Sequence, residues 1–242
     1  LKIGILTPGH PPEALAREMG GYDAMFRALL GGQGFDFATW DVEAMELPAS
    51  PHDADAWLVG GSRHAVYEDH PFLPPLLAFL RAAWGARRRI VGICFGHQAL
   101  AQALGGHVEK AATGWELGPR DYAGPAGRLR LAAWHQDQIA RLPEAEVEVL
   151  ARTPACPYAI LRYGDRALTM QPHPELSGAV VERLVALRRG TPPYPDALMD
   201  AAASAARGTE LDQAQAARAI GAFLREGVPA GLTRQAEAAD AR

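Results

Sequence analysis

The sequence predicts an α/β fold: a central, mostly parallel β-sheet covered on both faces by helices. Three observations lead there. Short apolar runs alternate with helical patterns from Lys2 to Leu104, the order that parallel strands and crossover helices produce. One of these runs, Ile90 to Ile93, passes through Cys94, between two glycines, into the helix-like Gln98-Ala99-Leu100-Ala101-Gln102-Ala103-Leu104. The chain has 242 residues, 48% hydrophobic and 21% charged, which suits one domain with an ample core, or one domain and an appendage.

Leu1-Lys2-Ile3-Gly4-Ile5-Leu6 reads as a first buried strand, too short and too soon broken by Thr7-Pro8-Gly9 for a signal peptide. Met19 to Leu30 carries Tyr22, Met25, Phe26, Leu29 and Leu30 on one helical stripe and stops at Gly31-Gly32. Phe35 to Trp40 predicts a second strand and Ala56 to Val59 a third. Pro74-Pro75 then opens a helix with Leu73, Leu76, Leu77 and Leu80 on one face. After Gly105-Gly106 the pattern changes to short strand-like runs: Leu129 to Ala133, Val147 to Leu150, Tyr158 to Leu161 and Ala167 to Met170. These are expected to finish the sheet, partly in antiparallel pairs. No internal repeat is visible.

A boundary falls near Gly190-Thr191-Pro192-Pro193-Tyr194-Pro195, dividing a main domain, 1–190, from an alanine-rich extension, 191–242. Leu211, Ala216, Ile220, Phe223 and Leu224 predict one or two helices there, since alanine favours helix strongly. The extension is expected to pack on the main domain or on a second subunit, as in a homodimer, with its last ten residues loose. Such composition can equally reflect a high-GC genome, so no function is hung on it.

A formal net charge of −4 gives no reason to expect a nucleic-acid or anionic-membrane partner. No stretch approaches the ~18 apolar residues of a membrane span. Cys94 and Cys156 could form at most one disulfide. One of them sits in a reactive-looking bend, so a reducing cytoplasm is the expected compartment.

That bend is the most informative stretch. Gly92 and Gly96 let a strand turn sharply into a helix and lift the Cys94 side chain out, the layout of a nucleophile elbow. A thiol at a helix N-terminus also feels the dipole and free N–H groups, which favour the thiolate below its ordinary pKa of about 8.5. In isolation, a buried cysteine ending a core strand would look the same. Downstream, Thr169-Met170-Gln171-Pro172-His173-Pro174-Glu175 follows the strand-like Ala167-Leu168. A cysteine nucleophile needs a base, and the base needs a partner that fixes its tautomer. His173 and Glu175 are two apart and point to one side of an extended segment that Pro172 and Pro174 stiffen. Alone they would be ordinary polar residues. With the elbow they complete a cysteine, histidine, carboxylate set in chain order.

The two segments resemble the class I glutamine amidotransferases, whose signatures are Gly-x-Cys-x-Gly-x-Gln and Gln-x-His-Pro-Glu. Every fixed position of both is present, from Gly92 to Gln98 and from Gln171 to Glu175. Trp57-Leu58-Val59-Gly60-Gly61-Ser62 is similar to the family's glycine-rich oxyanion strand-loop. Gly114-Trp115-Glu116-Leu117-Gly118 and Trp134-His135-Gln136-Asp137-Gln138 resemble segments of its stand-alone, GMP-synthetase-like members. The resemblance runs from about Lys2 to about Arg189, and these ordered segments are far more specific than any single motif. It implies a three-layer, flavodoxin-like fold carrying a nucleophile elbow.

It also implies roles. Cys94 attacks the side-chain amide of glutamine, giving a γ-glutamyl thioester and ammonia; His173 moves the protons, and Glu175 orients His173. The amides of Phe95 and of Gly61 form the oxyanion hole, although Gly60-Gly61-Ser62 alone would read as a strand-ending turn. Gln98 contacts the substrate's α-amino-acid end, with Gly60 beside it. Asp137 meets the ammonium, and the backbone around His135 and Gln136 the rest. Equally open, Trp134-His135 is loop packing and Asp137 caps a helix starting at Gln138. His97 reads as structural, and Cys156 as an inert, partly buried loop thiol.

No metal constellation is read from the sequence and no cofactor is expected: His64 and His70 flank Tyr67 and Asp69 in a loop that nothing else of ligand type joins. Family members usually hand ammonia to a synthase. This sequence shows no such module, no Gly-x-x-x-x-Gly-Lys-Ser/Thr loop and no Ser-Gly-Gly-x-Asp-type loop. The expectation is therefore glutamine hydrolysis feeding a separate acceptor enzyme. The alternatives are γ-glutamyl peptide hydrolysis by the same residues, or a silent binding or regulatory module on this fold.

Overall fold

The structure, a computed structural model, describes residues 1–233, so the end expected to be loose lies, apart from Thr233, outside the described residues. Numbered in chain order, β1 (Lys2–Thr7), β2 (Asp36–Asp41), β3 (Ala56–Val59), β4 (Arg89–Ile93) and β11 (Ala167–Met170) pair in parallel. β10 (Ile160–Tyr163) and β9 (Glu148–Ala151) extend that sheet antiparallel. The order is β2-β1-β3-β4-β11-β10-β9. Its parallel part follows the flavodoxin-like order, with the switch between β1 and β3 and β4 at the centre.

Side chains alternate between the two faces of each central strand. Ala56, Leu58, Val91 and Ile93 enter one core, while Trp57, Val59 and Ile90 enter the other. The second core is closed by α3 (Leu73–Gly85) and α4 (Phe95–Ala103), through Leu76, Leu80 and Leu100. Prolines in the first turn of α3 need no N–H partner, which is why Pro74-Pro75 starts rather than breaks it. The first core is closed by α2 (Tyr22–Leu29) and α7 (Gln213–Glu226), through Phe26, Ile220 and Phe223. α5 (Gly178–Arg188), capped by Ser177 Oγ accepting the Val180 N–H at 3.3 Å, packs with α6 (Asp196–Ala206). The helices of 191–242 thus pack on the main domain, and α7 shares its core with β1 and β4.

Two expectations about elements need correcting. The stripe from Met19 to Leu30 is not one helix: α1 (Glu13–Met19) ends at Gly20, φ 80°, and α2 restarts at Tyr22. Leu129 to Ala133 lies in β7 (Gly127–His135), which pairs with β6 (Glu116–Gly124) as a separate hairpin and not with the main sheet. Alternation predicts a half-buried strand without naming its partner. Here the nearest strand across a short turn wins, and Tyr122, Leu129 and Leu131 lay the hairpin on the first core. A further antiparallel pair joins β5 (His107–Lys110) to β8 (Asp137–Arg141). Among the described residues no helix is long and apolar enough to cross a membrane.

Candidate active site

Cys94 stands between the last residue of β4 and the first of α4, with φ 52° and ψ −102°. A positive φ on a residue with a side chain is strained, and the surroundings hold it there. Its own N–H donates to the Met170 carbonyl at 2.7 Å, and its carbonyl accepts the Gln98 N–H at 3.1 Å. Glycine is required on both sides. A Cβ on Gly92 would lie 2.6 Å from the Gly96 carbonyl group, and one on Gly96 only 2.2 Å from the Val59 oxygen.

The end of β11 supplies the second half. Gln171 N–H donates to Ala159 O at 2.7 Å and His173 N–H to Ala132 O at 2.8 Å, so the segment is pinned between β10 and the hairpin. His173 Nδ1 and Glu175 Oε1 are 2.6 Å apart, and both residues are buried, 4% and 6% exposed. With Nδ1 engaged by Glu175, Nε2 is the nitrogen left to face the Cys94 thiol. Burial alone would lower the pKa of His173, but Glu175, and then Cys94, outweigh it and hold it well above the ordinary imidazole range.

Gly61 closes the third side. A Cβ there would meet His173 Cε1 at 3.1 Å and Cys94 Cβ at 3.9 Å. Gly60 is fixed by its backbone: its N–H donates to Leu6 O at 3.0 Å, and its carbonyl accepts the Gly96 N–H at 3.1 Å. The Phe95 N–H opens α4, in the turn whose N–H groups have no intrahelical acceptor. Cys94, Phe95, Gly60, Gly61, His173 and Glu175 therefore come together at the carboxyl ends of β3, β4 and β11, where open α/β sheets bind ligands.

The remaining expected site residues form a rim around α4 and β8. Gln98 is buried, its Nε2 donating to Asp137 O at 2.9 Å and to Gln171 Oε1 at 3.1 Å. Gln171 Nε2 in turn donates to Cys94 Sγ at 3.6 Å. Gln171 belongs to the signature but drew no role from the sequence; its contact with the sulfur is an addition the geometry makes. His135 ends β7, buried, with its Nε2 3.7 Å from Glu116 Oε2. Burial, then His173, push its pKa down to about 3, so it is neutral, while burial raises Glu116. The Gln136 carbonyl accepts the Ala111 N–H at 2.7 Å. Asp137 begins β8, and its carboxylate accepts the Tyr67 hydroxyl at 2.7 Å. A helix from Gln138 is thereby excluded, as is loop packing for Trp134-His135, which are strand residues.

Outside this centre, His97 is buried against Thr169 Oγ1 at 2.8 Å, with its pKa brought down to about 3 by burial and then His135. Cys156 is fully buried. The loop after Gly61 departs from the sequence reading. Glu68, passed over there, stands against both imidazoles, 2.9 Å from His70 Nε2 and 3.8 Å from His64 Nδ1.

Fold and site define a class: a doubly wound α/β protein with a cysteine elbow at its central strand. Comparison with known proteins gives that class a family. The glutamine amidotransferase class-I family matches residues 35–184. Over 180 residues the chain is 30% identical to gamma-glutamyl peptidase 4 of Arabidopsis thaliana, spanning 67% of this chain and 71% of the relative. It is 32% identical over 145 residues to the glutamine-hydrolyzing GMP synthase of Ralstonia pickettii, 53% of this chain but 26% of that one. In fold it is similar to a glutamine amido transferase from Methylobacillus flagellatus, with a TM-score of 0.72, 20% identity and 94% and 95% of the two chains covered. The chain belongs to the class I glutamine amidotransferase family.

Proposed function

We propose that the chain hydrolyses the γ-glutamyl amide of L-glutamine through a thioester on Cys94 and releases ammonia for a separate acceptor enzyme. The observation that supports this best is the buried meeting of Cys94, His173 and Glu175 beside the Gly61 backbone. The Cys94 thiolate attacks the amide carbon. His173 Nε2–H gives its proton to the leaving nitrogen, and the carbon–nitrogen bond breaks to leave the thioester and ammonia. Water then attacks; His173 takes its proton, and the carbon–sulfur bond breaks to return glutamate and the thiolate. General acid–base help of this kind is worth about 10²–10⁴ in rate. The N–H groups of Phe95 and Gly61 hold the developing oxyanion, each worth about 10²–10³. Asp137, the backbone at His135 and Gln136, and Gln98 with Gly60 bind the α-amino-acid end.

A second reading has its own support. Gamma-glutamyl peptidases match this chain over most of both lengths, whereas the synthase match covers about a quarter of the relative. The readings share every step to the thioester and differ in the leaving amine.

Competition on the purified chain decides between them, offering glutamine against γ-glutamyl peptides of the glutathione type. Glutamine turnover that rises when an acceptor enzyme is added supports the first reading. A peptide turned over far faster than glutamine replaces it with the second. No thioester and no product from either, with the fold intact, leaves the silent module.

A further inference from the structure

We propose that His64, Glu68 and His70 form a binding site for a divalent transition metal of the zinc type, on the loop that leads away from Gly61. One ligand atom from each residue lies within 4.8 Å of the others. Around a tetrahedral ion with bonds of about 2.0 Å, ligand atoms stand roughly 3.3 Å apart. The present spacings, 2.9 Å from Glu68 Oε2 to His70 Nε2 and 3.8 Å to His64 Nδ1, bracket that value. The third spacing, between the two imidazoles, lies within 4.8 Å, so side-chain rotation is needed to close all three on one ion.

The donor set suits the ion. Two imidazoles and one carboxylate are the ligands of open zinc sites, where water supplies the fourth position. Hard cations such as magnesium prefer oxygen-rich sets and fit this one poorly. Each ligand is also held from behind. His64 Nε2 contacts Glu43 Oε1 at 3.0 Å, which turns Nδ1 toward Glu68. A carboxylate on the far nitrogen is the usual support of a metal-bound histidine. Arg63 makes its own 3.0 Å contact with the same Glu43 oxygen, and its Nε donates to His64 Nε2 at 3.4 Å, the ring nitrogen that does not face Glu68. Glu68 Oε2 also accepts the Ala65 N–H at 3.0 Å, which fixes its side chain in the turn. His64 and His70, with ring centroids 3.9 Å apart, both pack on Phe72 at 5.6 Å. On binding, the ion takes the place of the proton between His70 Nε2 and Glu68, and the neutral imidazole carries its proton on Nδ1 instead.

The loop's position gives the site a consequence. The His64 N–H donates to Ser62 Oγ at 3.1 Å, one residue beyond Gly61. Tyr67 reaches Asp137, and Phe72 lies 6.3 Å from the ring of Phe95, the residue after Cys94. An ion at this point ties down the loop that borders the candidate active site.

The test must keep this site apart from Cys94 and His173, which can themselves bind zinc. Tag-free full chain carrying Cys94→Ala is stripped with chelator and titrated with Zn²⁺ by calorimetry and with Co²⁺ by absorption spectroscopy. One ion per chain is expected, with no sulfur-to-cobalt charge-transfer band and a melting temperature that rises with Zn²⁺. Adding His70→Ala or His64→Ala should remove the binding, and Glu43→Gln should weaken it by about 10–100-fold. His70→Gln, which keeps the packing on Phe72, should lose the zinc-dependent rise in melting temperature while melting normally without metal. Absence of binding in Cys94→Ala overturns the proposal, and so does binding that His64→Ala and His70→Gln leave unchanged.

Discussion

Gly96 rests on the Val59 carbonyl so closely that a Cβ on it would stand 2.2 Å from the oxygen. This one backbone crossing fixes the bend that carries Cys94 against the end of β3, whose next residues are Gly60 and Gly61. The Gly96 N–H then closes it onto Gly60 O at 3.1 Å. Gly96→Ala must push the two segments apart. It should cost more than the ~1–3 kcal/mol typical of overpacking and remove activity, because both the elbow and the loop move. Gly85, in the last turn of α3 with nothing near its absent Cβ, supplies the contrast. Gly85→Ala should gain roughly 0.5–1 kcal/mol. Denaturant melts of the two variants check the opposite signs.

The two thiols should differ sharply in reactivity. Burial, then Glu116, push the Cys156 thiol up to about 12, and the residue is 1% exposed. Cys94 sits at the start of a helix beside a histidine held charged by Glu175. A chloroketone analogue of glutamine should label one site, mapped by peptide mass spectrometry to Cys94, and Cys94→Ala should abolish both labelling and turnover. Equal labelling of Cys156 would show that Cys94 is not activated.

Removing the carboxylate behind His173 should affect both rate and pH dependence. Glu175→Gln should lower turnover by up to about 10⁴ while leaving a residual rate, because the nucleophile remains. The raised folded pKa of His173 means that the folded chain keeps a proton the unfolded chain gives up. That contribution is complete below the unfolded value of about 6.5 and is lost as pH rises through the raised folded value. The stability advantage of the wild type over Glu175→Gln should therefore shrink as pH climbs. Melting temperatures from pH ~6 upward test it; an advantage that grows with pH would contradict the assigned charge.

What the sequence disclosed depended on how local the information was. The bend at Cys94 and the segment from Gln171 to Glu175 each carry their geometry in adjacent residues, so both could be read directly. β3 and β11 have the predicted bounds, since short apolar runs between turns leave little choice. The hairpin of β6 and β7 was not legible as a hairpin, because its partner choice depends on space over the sheet. Glu68 was missed because ligand spacing was sought between His64 and His70 alone, whereas the turn folds its side chain back onto both. Nor does composition reveal that an alanine-rich helix would complete the core.

That helix should matter greatly to stability. Phe223 of α7 is fully buried with Ile3, Ile5, Leu58 and Val91. Phe223→Ala should cost about 3–5 kcal/mol, as a large core ring lost from a packed site does. Exposed positions of the same helix, such as Arg218, should tolerate alanine within about 0.5 kcal/mol. If Phe223→Ala and Arg218→Ala melt alike, α7 is not part of the core.

Acid should destabilise the protein through two buried histidines. His97 and His135 are buried and neutral, with folded pKa values of about 3 against about 6.5 in the unfolded chain. Between those values the unfolded chain binds more protons than the folded one, so stability rises with pH across the window and levels off above it. Each contributes up to a few kcal/mol. Glu116 works in the opposite sense: burial raises its carboxyl, so the folded chain retains a proton that the unfolded chain loses. Stability falls where that difference opens, and Glu116→Gln should relieve the cost at neutral pH. His97→Gln, which can still meet Thr169 but cannot take up a proton, should flatten the acid limb without changing the neutral plateau greatly. Denaturant melts of wild type, His97→Gln and Glu116→Gln from pH ~4 to ~8 separate the contributions. Curves flat from pH ~4 to ~6.5 in both wild type and Glu116→Gln would show that burial does not depress the two histidines in the fold.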